Sequence, residues 1–300
     1  MSSVTDLVRL APEVQQALHD GAPVVALETT LIAHGFPPRV GVEVGLAAEA
    51  AVRAEGAVPA TVGVLDGAVA VGLDQDELER FGEAGADALK AGPRDLAACA
   101  AQGGIGATTV GGTLTVCRLC GIRFMGTGGI GGVHRGFADR PDISADLTEL
   151  ARTRALVVGS GAKSLLDVPA TAEALETLGV PVLGYRTDEL PLFYSASGGP
   201  PVSTRVETAT EATRVARAHW ELGGSGLLLA NPPENGIDVE PLIAEALAAA
   251  EAQGVTGKAV TPFVLSYLHD KSGGRTLEVN REIVVANARL AAETSAVFAG

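Results

Sequence analysis

The sequence predicts an α/β fold: a three-layer α/β/α domain around a mixed central sheet. Three observations carry this. A helical run, a glycine and an apolar strand recur in that order, as in Ala54-Glu55-Gly56-Ala57-Val58, Leu119-Cys120-Gly121-Ile122, Leu178-Gly179-Val180 and Leu222-Gly223-Gly224. Glycine just past a helix takes the left-handed C′ conformation without steric cost, and a strand soon after it completes half of a βαβ unit. Residues 61–72 form two short alternating runs around Asp66-Gly67. That is a hairpin signal, and it places an antiparallel pair in an otherwise parallel sheet. Aromatics are only 4% of 300 residues while glycines number 38, so the core must use small aliphatic side chains that let helix and sheet layers approach closely.

The elements follow in order. Helix 11–19 leads to strand 24–28, Val24-Val25-Ala26-Leu27-Glu28. Helix 39–55 leads through Gly56 to strand 58–65. Helix 74–82 opens on Asp74 with Glu77 three residues on, a capping box with Asp in the Ser/Thr place. Thr113-Leu114-Thr115-Val116-Cys117 is the apolar centre of a buried helix that precedes strand 122–126. Then come helix 144–152, strand 155–159, helix 169–178, strand 181–185, helix 205–222, strand 225–230 and helices 238–253 and 276–298. Residues 194–203, rich in Ser, Gly and Pro, form a surface or lid segment. No linker or repeat divides the chain, so residues 1–300 are expected to be one domain.

Composition narrows the partners. A net charge of −14 repels phosphate backbones, which argues against nucleic acid. A small anionic substrate is still compatible, held by a local cluster of cations and amides. Met1-Ser2-Ser3-Val4-Thr5-Asp6 lacks a basic segment followed by an apolar run, and no stretch approaches the ~20 apolar residues of a membrane span. The expectation is a soluble, cytoplasmic protein. Cys117 and Cys120 have the C-x-x-C spacing of a redox pair or half a zinc site. No second pair or histidine stands at zinc spacing, and the neighbours are apolar, so packing is the preferred reading.

The chemistry gathers at strand ends, where open α/β sheets bind ligands. Lys163 follows strand 155–159 through Ser160-Gly161-Ala162. Glu28 ends strand 24–28, where half-burial would raise its pKa towards a general acid's range. The glycine-rich run 126–136 follows a strand and carries His134 and Arg135, which suits a phosphate or sugar loop. Asp142, Ser144 and Asp146 come next. Taken alone they read first as a helix cap, with a hard-ion site of one carboxylate and water as the alternative. Lys90, before a Gly-Pro turn, taken alone is a surface lysine.

Together these segments closely resemble the pseudouridine-5′-phosphate glycosidase family, also called indigoidine synthase A-like. The similar stretches begin with Ala26-Leu27-Glu28-Thr29-Thr30-Leu31-Ile32-Ala33-His34-Gly35-Phe36-Pro37, Gly104-Ile105-Gly106-Ala107-Thr108-Thr109-Val110 and the run 126–136. They continue through Asp142 to Leu147, Ser160-Gly161-Ala162-Lys163-Ser164, Gly184-Tyr185-Arg186-Thr187-Asp188-Glu189-Leu190-Pro191, Ala230-Asn231-Pro232-Pro233 and Gly257-Lys258-Ala259-Val260-Thr261-Pro262-Phe263. The resemblance implies reversible cleavage of the C–C glycosidic bond of pseudouridine 5′-phosphate to uracil and ribose 5-phosphate through a covalent lysine adduct. It implies Lys163 as nucleophile, Glu28 as proton donor and Asp142 as ligand of Mn²⁺, or Mg²⁺ in its place. Lys90, Val110, Ser144, Ala145 and Asp146 would bind substrate, with His134 and Asn287 in the same site. It also implies a homotrimer, and a separate kinase to make the substrate. Two rival readings are a class I aldolase or other Schiff-base lyase acting on a phosphosugar, and a non-catalytic nucleotide-binding module.

Overall fold

The computed structural model describes residues 7–139, 141–255 and 260–300. Along the first half run β1 (Val8–Leu10), α1 (Pro12–Asp20), β2 (Val24–Glu28), a π turn (Leu31–Gly35), α2 (Pro38–Ala54), β3 (Val58–Leu65), β4 (Ala68–Val71), α3 (Gln75–Ala84), β5 (Leu89–Ala91), α4 (Leu96–Ala101) and β6 (Gly106–Thr108). The second half continues with α5 (Val110–Cys120), β7 (Phe124–Gly126), α6 (Ala145–Leu150), β8 (Leu156–Gly159), α7 (Val168–Thr177), β9 (Val182–Tyr185), β10 (Thr204–Val206), α8 (Ala209–Glu221), β11 (Leu227–Ala230), α9 (Glu240–Ala252), α10 (Val260–Lys271) and α11 (Arg275–Ala299).

The strands join one mixed sheet in the order β1-β4-β3-β2-β7-β8-β11-β9-β10, with β6 and then β5 branching from β3. Only β3–β4 and β3–β6 are antiparallel. At the β3–β4 hairpin both Asp66 (φ 52°) and Gly67 (φ 82°) are left-handed, the condition for a two-residue turn that matches strand twist. Side chains alternate across each strand and divide the core into two layers. Ala26, Val62, Val64, Met125, Val157 and Leu228 pack with α1, α5, α7 and α9. Val25, Leu27, Phe124, Leu156, Val158 and Leu229 pack with α2, α8 and α11. The three-layer architecture is therefore a consequence of strands that are apolar on both faces, as buried parallel sheets are.

Local signals fared well. Asp74 accepts from the Glu77 amide and Glu77 from the Asp74 amide, so the capping box forms on both sides. Gly56, Gly121, Gly179 and Gly223 all have φ between 69° and 89°. Four short strands (β1, β5, β6 and β10) and helices α4 and α10 were not anticipated. The helix expected over 205–222 starts only at Ala209, because Thr204–Val206 pairs with β9 and Thr208 caps the helix by accepting from the Glu211 amide at 3.2 Å. The segment 194–203 is not surface throughout: Tyr194 is fully buried. No helix among the described residues is long and apolar enough to cross a membrane.

Cys117 is buried and Cys120 half-buried, both unpaired. Burial raises both thiols, that of Cys120 to about 11, so neither is a thiolate at neutral pH. Replacing both with alanine should leave turnover unchanged and cost roughly 1–2 kcal/mol in thermal or denaturant unfolding. Lost turnover in a folded variant would instead support a redox or metal role.

Candidate active site

The site is built where the central parallel strands end. Leu27 lies opposite Gly126 in the β2–β7 register, so the next residues, Glu28 and Thr127, leave the sheet side by side. Thr127 Oγ1 donates to Glu28 Oε1. Glu28 is 3% exposed, not half-buried as expected, and its Oε2 has no hydrogen-bond partner among the described residues. Burial pushes its pKa above the ordinary glutamate value; the charge of Lys163 and the Thr127 hydrogen bond oppose this, and Asp146 adds to it. Burial is the largest of these influences, so the carboxyl keeps its proton past the usual range. With Oε1 accepting from Thr127, that proton belongs on Oε2.

Lys163 stands four residues past the end of β8, in a turn held from two sides. Its amide donates to the Ile130 carbonyl at 3.1 Å, and Ala162 bridges Ile130. On the other side Ser164 Oγ donates to the Leu192 carbonyl at 2.7 Å, and the Phe193 amide to the Ser160 carbonyl at 3.0 Å. Gly161 makes this possible: its φ is +75°, and a Cβ there would sit 2.0 Å from the Pro191 carbonyl oxygen. Lys90 reaches the same place from the branch of the sheet, paired with Ala107 across β5–β6.

Glu28, Lys163 and Lys90 line one cavity of about 500 Å³, with His34, Tyr194, Gly128 and Gly129 among its other walls. The remaining residues singled out from the sequence do not line it, and each has a different setting. Asp146 is buried, and its carboxylate accepts from the Gly111 amide at 2.7 Å and the Gly131 amide at 2.8 Å. It clamps the start of α5 to the glycine-rich loop; a Cβ on Gly131 would lie 2.4 Å from Ser144 Oγ. Ser144 is the cap of α6, accepting from the Asp146 amide at 3.2 Å. Ala145 is exposed and Val110 buried at the first turn of α5. Asn287 is buried on α11; its Nδ2 donates to the Thr127 carbonyl at 2.8 Å and its Oδ1 accepts from Asn231 at 2.9 Å. It fixes the backbone of the residue that orients Glu28.

The glycine-rich loop spends many amides on the protein itself: those of Thr127, Ile130, Gly131, Val133 and His134 all donate to protein acceptors. Arg135 adds no charge to the cavity, because its guanidinium is bidentate to Glu240 at 2.7 and 2.9 Å. Asp142 is 61% exposed, with His134 Nε2 3.9 Å from its Oδ2. Among the described residues no three His, Cys, Asp or Glu converge as a metal site. Asp142 offers one exposed carboxylate with His134 beside it, so a hard divalent ion there would draw most of its ligands from water or substrate oxygens. The 257–259 part of the similar stretches, with Lys258, lies outside the described residues.

Sequence reasoning missed Thr127, Tyr194 and His34 as walls or supports of the site. A hydroxyl directly after a strand was a usable signal for Thr127; its adjacency to Glu28 was not, since it depends on β2–β7 pairing.

Residues 13–297 match the model of the indigoidine synthase A-like protein family. A pseudouridine-5′-phosphate glycosidase of Herpetosiphon aurantiacus is 50% identical over 95% of this chain and 96% of its own. The one from Escherichia coli is 45% identical over 96% and 94%. The prealnumycin C-glycosynthase AlnA, solved in complex with ribulose 5-phosphate, superposes with a TM-score of 0.90 at 42% identity, covering 98% of both chains. An indigoidine synthase A-like protein from Thermotoga maritima gives 0.88 at 37% identity, over 98% and 97%. With identity this high over nearly the full length, and a buried carboxyl and an amine sharing one cavity, the chain belongs to the indigoidine synthase A-like family of enzymes, that of the pseudouridine-5′-phosphate glycosidases.

Proposed function

We propose that this chain hydrolyses pseudouridine 5′-phosphate, reversibly, to uracil and ribose 5-phosphate. The observation that carries the reading is the shared cavity: a buried, proton-bearing Glu28 and the amine of Lys163 face one space large enough for a nucleotide. The names of the relatives support the substrate, and the AlnA complex with ribulose 5-phosphate supports a pentose 5-phosphate as part of it.

The bond to be broken is carbon–carbon, so protonating a leaving nitrogen is no help. Lys163 instead attacks C1′ in its neutral form. The C1′–O4′ bond breaks as Glu28 gives its Oε2 proton to O4′, and the sugar opens. The proton shed by the new secondary amine returns to Glu28. Nitrogen then pushes its pair towards C1′, the C1′–C5 bond breaks, and uracil C5 takes the proton from Glu28. Water adds to the iminium as its proton passes to the Glu28 carboxylate, and collapse frees ribose 5-phosphate and the lysine. Covalent catalysis of this kind divides one difficult cleavage into smaller steps.

Lys90 supplies a fixed cation for the phosphate. Asp142, with His134 beside it, would hold Mn²⁺ or Mg²⁺, which supplies positive charge for substrate oxygens. Excess EDTA should therefore suppress turnover and Mn²⁺ or Mg²⁺ restore it. Full activity in EDTA, with no metal by elemental analysis, would contradict this. The assembly is a homotrimer in this reading, on the resemblance alone. Light scattering should report about three times the 30.3 kDa chain mass, and a monomer would count against it.

The test of function is direct. Incubation with pseudouridine 5′-phosphate and Mn²⁺ should release uracil and ribose 5-phosphate in equal amounts. Sugar fragmentation without uracil would favour an aldolase-type lyase, and no turnover with tight binding would favour a binding module.

A further inference from the structure

His34 stands on the cavity wall beside Glu28 and Lys90, and the chemistry above does not use it. It lies in the π turn Leu31–Gly35, six residues past Glu28, where the strand ends. Turns of this kind recur at functional sites. His34 Nε2 is 3.0 Å from the Ala88 carbonyl oxygen. A carbonyl only accepts, so Nε2 carries the ring proton. Burial lowers the imidazole pKa and the charge of Lys90 lowers it further, against the Ala88 hydrogen bond, so the ring is neutral. Its Nδ1 is buried with no hydrogen-bond partner among the described residues.

The Ala88 bond has companions on β6: the Thr108 amide donates to Thr29 Oγ1 at 2.8 Å. Thr30 Oγ1 donates to the Ala107 carbonyl at 3.1 Å. Ala107 is the register partner of Lys90, and Ala88 lies two residues before it. The short segment after Glu28 thus grips the ribbon at Ala88, just before β5, and along β6 at Ala107, opposite Lys90, and at Thr108. That ribbon needs holding. β5 has no sheet neighbour but β6, and β6 meets β3 at only Ala107 and Gly106. Lys90 itself is exposed. On the β5 side the backbone that carries Lys90 is tied to the segment after Glu28 by the His34–Ala88 bond, beside the contacts Lys90 makes itself.

We propose that His34 is a positioning residue: through Ala88 it holds the β5 backbone that presents Lys90 to the 5′-phosphate of the substrate. The proposal rests on the reading of Lys90 as the cation for that phosphate. It assigns His34 no contact with the reacting atoms.

The test uses three substitutions at His34, with Kd for ribose 5-phosphate by calorimetry and the steady-state constants for pseudouridine 5′-phosphate. His34→Leu should raise Kd and KM by about tenfold, the effect one lost neutral hydrogen bond can transmit, with a smaller change in kcat. Gln places an amide N–H near the position of Nε2 and should restore both constants. Asn, whose amide reaches only as far as Nδ1, should behave like Leu. Should the Leu variant not fold, Thr30→Val removes a companion bond and should raise KM in the same sense. Wild-type KM in a folded Leu variant, or equal constants for Gln and Leu, would overturn the proposal. A wild type that binds ribose 5-phosphate but releases no uracil would sink the proposed reaction and leave His34 to be judged by Kd. A wild type that binds neither compound would overturn both.

Discussion

Lys163→Ala should lose uracil release by on the order of 10⁴-fold or more while keeping its fold. The side chain is half-buried, and the bonds that hold its turn are made by backbone atoms and by Ser164, so truncation leaves them in place. Binding of ribose 5-phosphate should survive, since Lys90 and the loop glycines Gly128 and Gly129 still line the cavity. Single-turnover assays with equilibrium binding separate the two effects. Near-normal turnover in this variant would remove the nucleophile from the account.

Glu28→Gln keeps shape and can still accept from Thr127, but has no proton to give. It should slow turnover by about 10²–10⁴-fold, the range of general acid–base catalysis. The pH dependence follows from the raised pKa. The acid form is present below that pKa and is lost as pH rises through it, so wild-type activity should fall on the alkaline side with a limb that the variant lacks. Stability has the same sign. The folded protein holds the Glu28 proton more tightly than the unfolded chain does. Its contribution is complete below the ordinary value of 4.5 and disappears as pH climbs through the raised one. Glu28→Gln should therefore unfold at a higher temperature than wild type at neutral pH and lose that advantage in acid. Both residues serve one step, so the double variant should be little slower than Lys163→Ala alone.

The parts of this site that rest on local chemistry were legible in the sequence. A carboxylate closing an apolar strand, an amine after a Gly-Ser-Gly turn, the Asp66-Gly67 hairpin and the glycines after helices each obey rules that span a few residues. What stayed hidden depends on which strands become neighbours. Lys90 looks like any surface lysine until β5 pairs with β6 and the ribbon branches from β3. Thr127 acquires a partner only because β7 lies beside β2. Asp146, a substrate-binding residue by resemblance, also accepts from two backbone amides of separate segments, a clamp no local pattern shows. Three-residue strands such as Val8–Leu10 and Thr204–Val206 are too short to show alternation, and the latter was absorbed into the helix that follows it.

The central claim is a covalent bond between Lys163 and the sugar. Wild-type protein mixed with pseudouridine 5′-phosphate and quenched with borohydride should gain the mass of one reduced pentose 5-phosphate, mapped by peptide mass spectrometry to Lys163. An adduct on Lys90 or Lys258, or no adduct while uracil is released at full rate, would contradict the mechanism.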